Sequence, residues 1–205
     1  PNYPLVYIKV DGSFDPKKKI NRREAKIVGE ITKNFLKNGV TIDQLGIIAP
    51  YRGQVAEIKR LVPKNVTVDT IDRFQGSDRE VIIVSLAEGP TISKKGFNDA
   101  RRLNVAITRA KKKLVVVTNP YLKGNNILND YLRYLDKHAK IIDLTDTRKK
   151  LGGTKEVIIV AEALAQSAKF IPKVSVMEHG GELNKSLCLL CNELVTEDGI
   201  QCPFC

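Results

Sequence analysis

Cysteine is absent before position 188 of this 205-residue chain, which excludes a fold stapled throughout by disulfides. No apolar run approaches the roughly 20 residues that a membrane-spanning helix needs. The longest candidates, Val81 to Leu86 and Val157 to Ala165, have the size of a strand or a short helix. No secretory leader, internal repeat or low-complexity tract is visible. Also missing is the Gly-x-x-x-x-Gly-Lys-Ser/Thr loop whose amides and lysine hold nucleotide phosphates. Leu151-Gly-Gly-Thr-Lys155 has the wrong spacing and order for it. No acidic pair closes an apolar strand, where Mg²⁺ would be held. These absences point to a cytoplasmic protein (nuclear if eukaryotic) with no membrane partner. The chain opens on Pro1 rather than Met, and the expectation is that something lies upstream.

What is present is positive charge. Lys and Arg number 34 against 23 Asp and Glu, for a net +11. That excess suits an anionic partner, nucleic acid first among them; solvated lysine faces are the other reading. Apolar residues make up 42% of the chain, enough for one packed domain and a small appendage.

Over residues 1–145, strand-like and helix-like segments alternate. Leu5 to Val10 is a short apolar run. Asn21 is a candidate N-cap, with Glu24 three positions on to complete a capping box. Ala25, Val28, Ile31, Phe35 and Leu36 recur at helical spacing, and Gly39 ends the helix. Leu45 to Ala49 reads as a buried strand, and Pro50 opens a helix carrying Val55, Ile58, Leu61 and Val62. Strands follow at 66–68, 81–86, 114–118 and 141–142, and helices at 99–109 and 127–138. Nearly all-apolar strands separated by helices indicate a parallel sheet covered on both faces. Ligands of such sheets sit on the loops at the strand ends.

Three loops carry chemistry-bearing residues. Pro50-Tyr-Arg-Gly-Gln54 delivers an aromatic ring and an arginine together, for a base and a phosphate; a packed Tyr beside an exposed Arg is the alternative. Thr70-Ile-Asp-Arg-Phe-Gln75-Gly76-Ser-Asp78 has a glycine that permits close backbone approach between two polar residues, or is an ordinary charged turn. Arg101-Arg-Leu-Asn-Val-Ala-Ile-Thr-Arg109-Ala110 ends with an arginine presented from a helix end just before a strand. A guanidinium so placed is a ready phosphate clamp. Arg101 and Arg102 could serve structural ion pairs, and Lys111 to Lys113 could be a solvated run.

In this order and at these separations, the three loops resemble motifs IV, V and VI of superfamily 1 helicases. The likeness is to the 5′-to-3′ branch that includes the nonsense-mediated-decay helicase and the replication nuclease-helicase. The Gly-Ser-Asp78-Arg form of motif V is more similar to the replication branch. The resemblance implies an α/β, RecA-like second helicase domain over 1–145. Tyr51 would stack on adenine, and Arg52 and Arg109 would contact the γ-phosphate. Gln54 would support its loop beside the nucleotide, and Gly76 and Asp78 would lie near ribose and phosphates. Thr70 would lie near the nucleic-acid strand, and Gln75 would link the two sites. Such an arginine is worth about 10³–10⁵ in turnover in related enzymes. ATP with Mg²⁺ would be held mainly by a first RecA-like domain, so this chain alone is expected to hydrolyse no ATP. The partner strand would be single-stranded, DNA rather than RNA. Where the family often continues motif V with Val-Arg-Ser, this chain has Ala87-Glu88-Gly89.

Residues 146–180 read as a linker with a short amphipathic segment, and 181–205 as a zinc ribbon. Cys188-Leu-Leu-Cys191 and Cys202-Pro-Phe-Cys205 offer four thiolates, the tetrahedral set that structural Zn²⁺ prefers, with Glu197-Asp-Gly199 a hairpin turn between them. Disulfides are the alternative. His138 and His179 read as surface residues. Two other functions stay open: a non-enzymatic zinc-ribbon nucleic-acid-binding or scaffold protein, and a module whose basic faces recognise acidic proteins.

Overall fold

The computed structural model of the chain describes residues 3–74, 78–88, 96–122 and 127–145, with 186–187 and 194–195. Gln75, Gly76, the expected linker over 146–180, the 197–199 turn and the four cysteines lie outside the described residues.

In chain order the elements are β1 (Leu5–Lys9), β2 (Phe14–Asp15), β3 (Ile20–Asn21), α1 (Arg22–Lys37), β4 (Leu45–Ala49), α2 (Arg52–Lys59), β5 (Thr67–Thr70), β6 (Arg79–Ser85), α3 (Ala100–Ile107), β7 (Ala110–Thr118), α4 (Ile127–His138) and β8 (Lys140–Asp143). Six strands form one parallel sheet in the order β5-β4-β6-β7-β1-β8. This is the α/β, RecA-like architecture expected. The chain steps one way across the sheet through α1 and α2 and the other way through α3 and α4. Right-handed crossovers therefore set the two pairs on opposite faces. Every residue of β4 is buried, as a strand covered on both sides requires.

Two compact units divide the chain, Pro1–Lys169 and Phe170–Cys205. In the second, Ser186–Leu187 (β9) pairs antiparallel with Leu194–Val195 (β10). In sequence this pair brackets Cys188 and Cys191.

Local chemistry explains the elements and their departures from expectation. The oxygen of Asn21 accepts from the backbone N–H of Glu24 at 3.1 Å, so the N-cap forms. The reciprocal half of the box does not. The Asn21 backbone N–H goes to Gln54 Oε1 at 2.8 Å, because the Glu24 carboxylate turns into the core. At the other end Gly39 takes φ +93°, the left-handed conformation that ends helices. Leu61 and Val62 fall past the end of α2. The hairpin β2–β3 has no counterpart in the periodicity reading. Strand β7 starts at Ala110, four residues earlier than the apolar run. Within it Lys111 and Lys112 are exposed, but Lys113 is only 2% exposed and donates to the Tyr3 carbonyl at 2.7 Å. The solvated-run reading fails there: an irregularity in the β6–β7 pairing between Ala110 and Lys113 breaks the alternation, and Lys113 is taken inward. Burial lowers the Lys113 ammonium to about 8.

Glu24, Asn21, Gln54 and Ser85 are all fully buried. Gln54 Nε2 donates to Asn21 O at 3.1 Å and to Ser85 Oγ at 3.0 Å. Ser85 Oγ and the Ala87 backbone N–H each donate to Glu24 Oε2 at 2.8 Å, and Asn21 Nδ2 donates to Glu24 Oε1 at 3.0 Å. The network thus ties the starts of α1 and α2 to the end of β6. Burial is the dominant influence on Glu24 and pushes its carboxyl from 4.5 up to about 8, against the donors that favour its charge. The folded state then holds a proton that the unfolded chain has released. This contribution to stability is complete below about 4.5 and is lost as pH rises through about 8. Urea unfolding across that window is expected to show stability falling with pH, by at most about 1.4 kcal/mol per unit. Glu24→Gln should flatten the profile; a wild-type profile already flat would contradict the assignment.

Candidate functional site

In a parallel sheet every strand ends at one edge and begins at the other. Loops that follow strands therefore gather at the carboxyl edge, and loops that follow helices at the amino edge. The expected site residues divide along this line.

At the carboxyl edge, β4 ends on Ala49 and delivers Tyr51 and Arg52. Tyr51 is 6% exposed and its hydroxyl donates to Glu88 Oε1 at 2.8 Å. Phe14 lies 6.0 Å from its ring, and Lys19 Nζ sits 5.3 Å from the ring centroid. The ring is packed beneath its loop and also contributes to the lining of the neighbouring cleft. Gln54, 0% exposed, directs its amide to Asn21 and Ser85 in the buried network. Glu88, fully buried, occupies the place where the family often has arginine, and it serves Tyr51.

Arg52 is exposed and opens on a cleft of about 430 Å³. Lys17, Lys18 and Lys19 form one wall, from the tip of the β2–β3 hairpin; Thr70, Arg73 and Arg102 contribute the other. A second cleft of about 270 Å³ shares Arg52, Thr70 and Arg73 with the first and reaches Lys59. Arg102 is paired with Asp72 at 3.3 Å, one of the structural ion pairs foreseen for the arginine doublet. Arg52 and Arg73 have no ion-pair partner among the described residues. The result is two adjoining clefts that share Arg52, Thr70 and Arg73, with cations outnumbering the two carboxylates, Asp72 and Asp69, that also line them.

Lys17 to Lys19 escaped the sequence reading. The available signal was Asp15-Pro16 ahead of three lysines, a turn followed by a charge run. Asp15 Oδ1 accepts from the backbone N–H groups of Lys17 and Lys18 at 3.0 Å each. The Lys18 hydrogen bond is the main reason its carboxyl is held low.

At the amino edge stand Arg109 and Asp78. Asp99 caps α3 by accepting from Arg101 N at 2.9 Å, and the helix runs back against the strands to end at Ile107. Arg109 follows it and immediately precedes β7. Its Nη1 donates to Asp78 Oδ1 at 2.7 Å, its Nε to Val105 O at 3.3 Å, and its side chain is 23% exposed. Between this pair and Tyr51 lies the length of β6, seven residues or roughly 20 Å at strand rise. Within this domain β6 stands between Arg109 and the Tyr51–Arg52 pair, residues that the resemblance sets around one nucleotide.

No helix among the described residues is long and apolar enough to cross a membrane. Compared with known proteins, residues 1–121 match the family described as AAA domain. The human DNA replication ATP-dependent helicase/nuclease DNA2 is 36% identical over 155 residues, covering 70% of this chain and 15% of the relative. The Drosophila melanogaster regulator of nonsense transcripts 1 homolog is 36% identical over 134 residues, covering 60% and 11%. The Xenopus tropicalis helicase/nuclease is 47% identical over 128 residues, covering 59% and 12%. The chain thus spans about a seventh or less of the length of these relatives.

The packed role of Tyr51 is checked by unfolding. Tyr51→Phe leaves a buried Glu88 oxygen without its hydroxyl donor and should cost about 1–3 kcal/mol. Arg52→Gln, on an exposed side chain, should change stability by less than about 0.5 kcal/mol. Equal effects in urea titrations would contradict this division.

Proposed function

The chain belongs to the AAA domain family, and with its helicase relatives to the superfamily 1 helicases; from that premise we propose that it works as the second RecA-like domain of an ATP-dependent nucleic-acid helicase. The groove at the carboxyl edge takes a single strand, and the Arg109–Asp78 pair at the amino edge faces a nucleotide held by a first RecA-like domain.

The observation that carries this reading is the basic groove itself. Its two clefts share Arg52, Thr70 and Arg73, so a chain of phosphates fills it where a lone nucleotide would fill one chamber. Arginines in such a groove hold phosphate oxygens through paired N–H donors. Bases receive little here, since the one aromatic ring at the cleft, Tyr51, is buried. DNA is favoured over RNA by the replication-type form of motif V.

At the other edge, Asp78 orients the Arg109 guanidinium without burying it. ATP supplies a γ-phosphate that competes with Asp78 for this cation and draws two domains together. The Mg²⁺ that accompanies ATP belongs to the partner domain's carboxylates. Once the γ-phosphate leaves, Asp78 recovers the guanidinium and the attraction lapses. A cycle of differential contacts of this kind moves a strand gripped at the opposite edge. The coupling route is the segment from Thr70 to Asp78, with Gln75 and Gly76 near its end. It leaves β5 at the carboxyl edge and must reach the amino edge to start β6. A strand engaged at Thr70 is therefore tied through the backbone to the partner of Arg109.

The four cysteines Cys188, Cys191, Cys202 and Cys205 suit Zn²⁺ by donor type and spacing, and the β9–β10 pair around the first two fits a metal knuckle. A metal assay on the purified chain should find one zinc, lost with unfolding of the tail when a chelator is added. Four free thiols without zinc would remove the ribbon.

The strand reading is tested by fluorescence anisotropy with a labelled oligothymidylate. Arg52→Gln and Arg73→Gln together should weaken binding about tenfold or more and lower the slope of log K against log salt by about 0.7 per lost phosphate contact. Arg109→Ala should leave both unchanged. Loss of strand affinity on Arg109→Ala, with the groove variants silent, would place the strand at the wrong edge.

A further inference from the structure

The lysine hairpin is not accounted for by the three helicase-like motifs. It lies between β1 and α1, outside all of them, and supplies three of the cations on the strand groove. We infer that Lys17, Lys18 and Lys19 form a phosphate clamp over the groove, and that Gly53 is the residue that seats it. The inference rests on the strand reading above and adds a second, separately built grip to it.

Three observations support the clamp. The first is the absence of any ion-pair partner for Lys17 and Lys18 among the described residues, although both are exposed beside Arg52. Three successive cations at a turn repel one another, and the single Asp15 carboxylate at the tip offsets only part of that charge. The second is the backbone of Lys19, at φ 54°. That left-handed conformation suits Gly or Asn and disfavours a long side chain. Lysine holds the position nonetheless, with its ammonium over the Tyr51 ring. A residue kept in a conformation it disfavours, at the mouth of a groove, points to use of its charge.

The third is the seat. A Cβ on Gly53 would stand 2.1 Å from the Lys18 carbonyl oxygen and 3.2 Å from that of Lys19. Both obstacles are backbone, so no side-chain rotation relieves them. Only glycine lets the first turn of α2 touch the hairpin this closely. Asp15 stiffens the tip from the other side through its hydrogen bonds to Lys17 and Lys18. The clamp is thus held at two points, and its lysines face the cleft that Arg52 and Arg73 line.

The ligand is a phosphodiester backbone without base preference, because ammonium groups are point charges that read no base edge. The experiment uses the full chain and a labelled oligothymidylate over roughly 50–200 mM salt. Replacing Lys17, Lys18 and Lys19 together by Gln should lower the salt slope by up to about 2, at about 0.7 per contact, with unfolding unchanged. The triple Lys→Arg variant should restore the slope. Gly53→Ala should lower affinity severalfold although every lysine remains. An unaltered slope in the Gln triple, with Arg52→Gln and Arg73→Gln still damaging, overturns the clamp and leaves the strand groove standing. Silence of all these variants overturns both. Should Gly53→Ala unfold the chain, the Gln and Arg triples decide alone.

Discussion

The carboxyl edge is fastened through one buried carboxyl group, that of Glu24. Glu24 receives hydrogen bonds from Asn21, Ser85 and Ala87, and through Ser85 and Asn21 it is joined to Gln54. Three elements that are far apart in sequence begin or end on this group. A buried polar network is valuable only when every member is satisfied, and here Asn21 and Gln54 both donate and accept. Its effect is positional. Arg52 and Gly53 open the helix whose first turn it fastens at Gln54, so the placement of the exposed Arg52 is inherited from groups that solvent never reaches.

The second constraint is the parallel sheet. It separates the residues by whether a strand or a helix precedes them. Residues after strands meet at one edge, where basic side chains outnumber acidic ones and a groove forms. Residues that lead into strands meet at the other, where Arg109, just before β7, and Asp78, just before β6, hold one another. A domain with cationic groups at both edges, joined by a short return segment and by α3, has the layout of a coupling device, with each edge able to serve a different anion. The energetic means are ordinary: exposed guanidinium and ammonium groups on a rigid frame, whose orientation costs little when the ligand arrives.

Much of the frame was legible in the sequence. The Asn21 N-cap, the strand at 45–49 and the helix at 127–138 stand where periodicity and capping chemistry put them, since those signals are local. The hairpin at 14–21 was not legible, because two-residue strands carry no period. Gln54 and Glu88 were not legible as buried groups either; their partners come from residues 33 and 37 positions away, and only the folded chain brings them together. Arg109 is the more instructive miss. Motif order along a chain says nothing about which end of a sheet a residue occupies. Yet the alternation of strand and helix does: a residue between a helix and the next strand must stand at the amino edge. That rule, applied to Thr108 and Arg109 after an eight-residue helix, would have separated them from Tyr51 without coordinates.

The position of β1 has a consequence for the birth of the molecule. Within this domain the earliest strand in sequence is an interior one, flanked by β7 and β8: Leu5 pairs with Leu114, and Val6 with Lys140. Its neighbours are thus among the last parts of the domain to be synthesised. For most of translation its apolar side chains have no sheet to join, and loop closure over a hundred residues must precede their burial. Such a nascent chain needs shelter by chaperones for longer than one built from neighbouring hairpins, and it completes its core in a single late step.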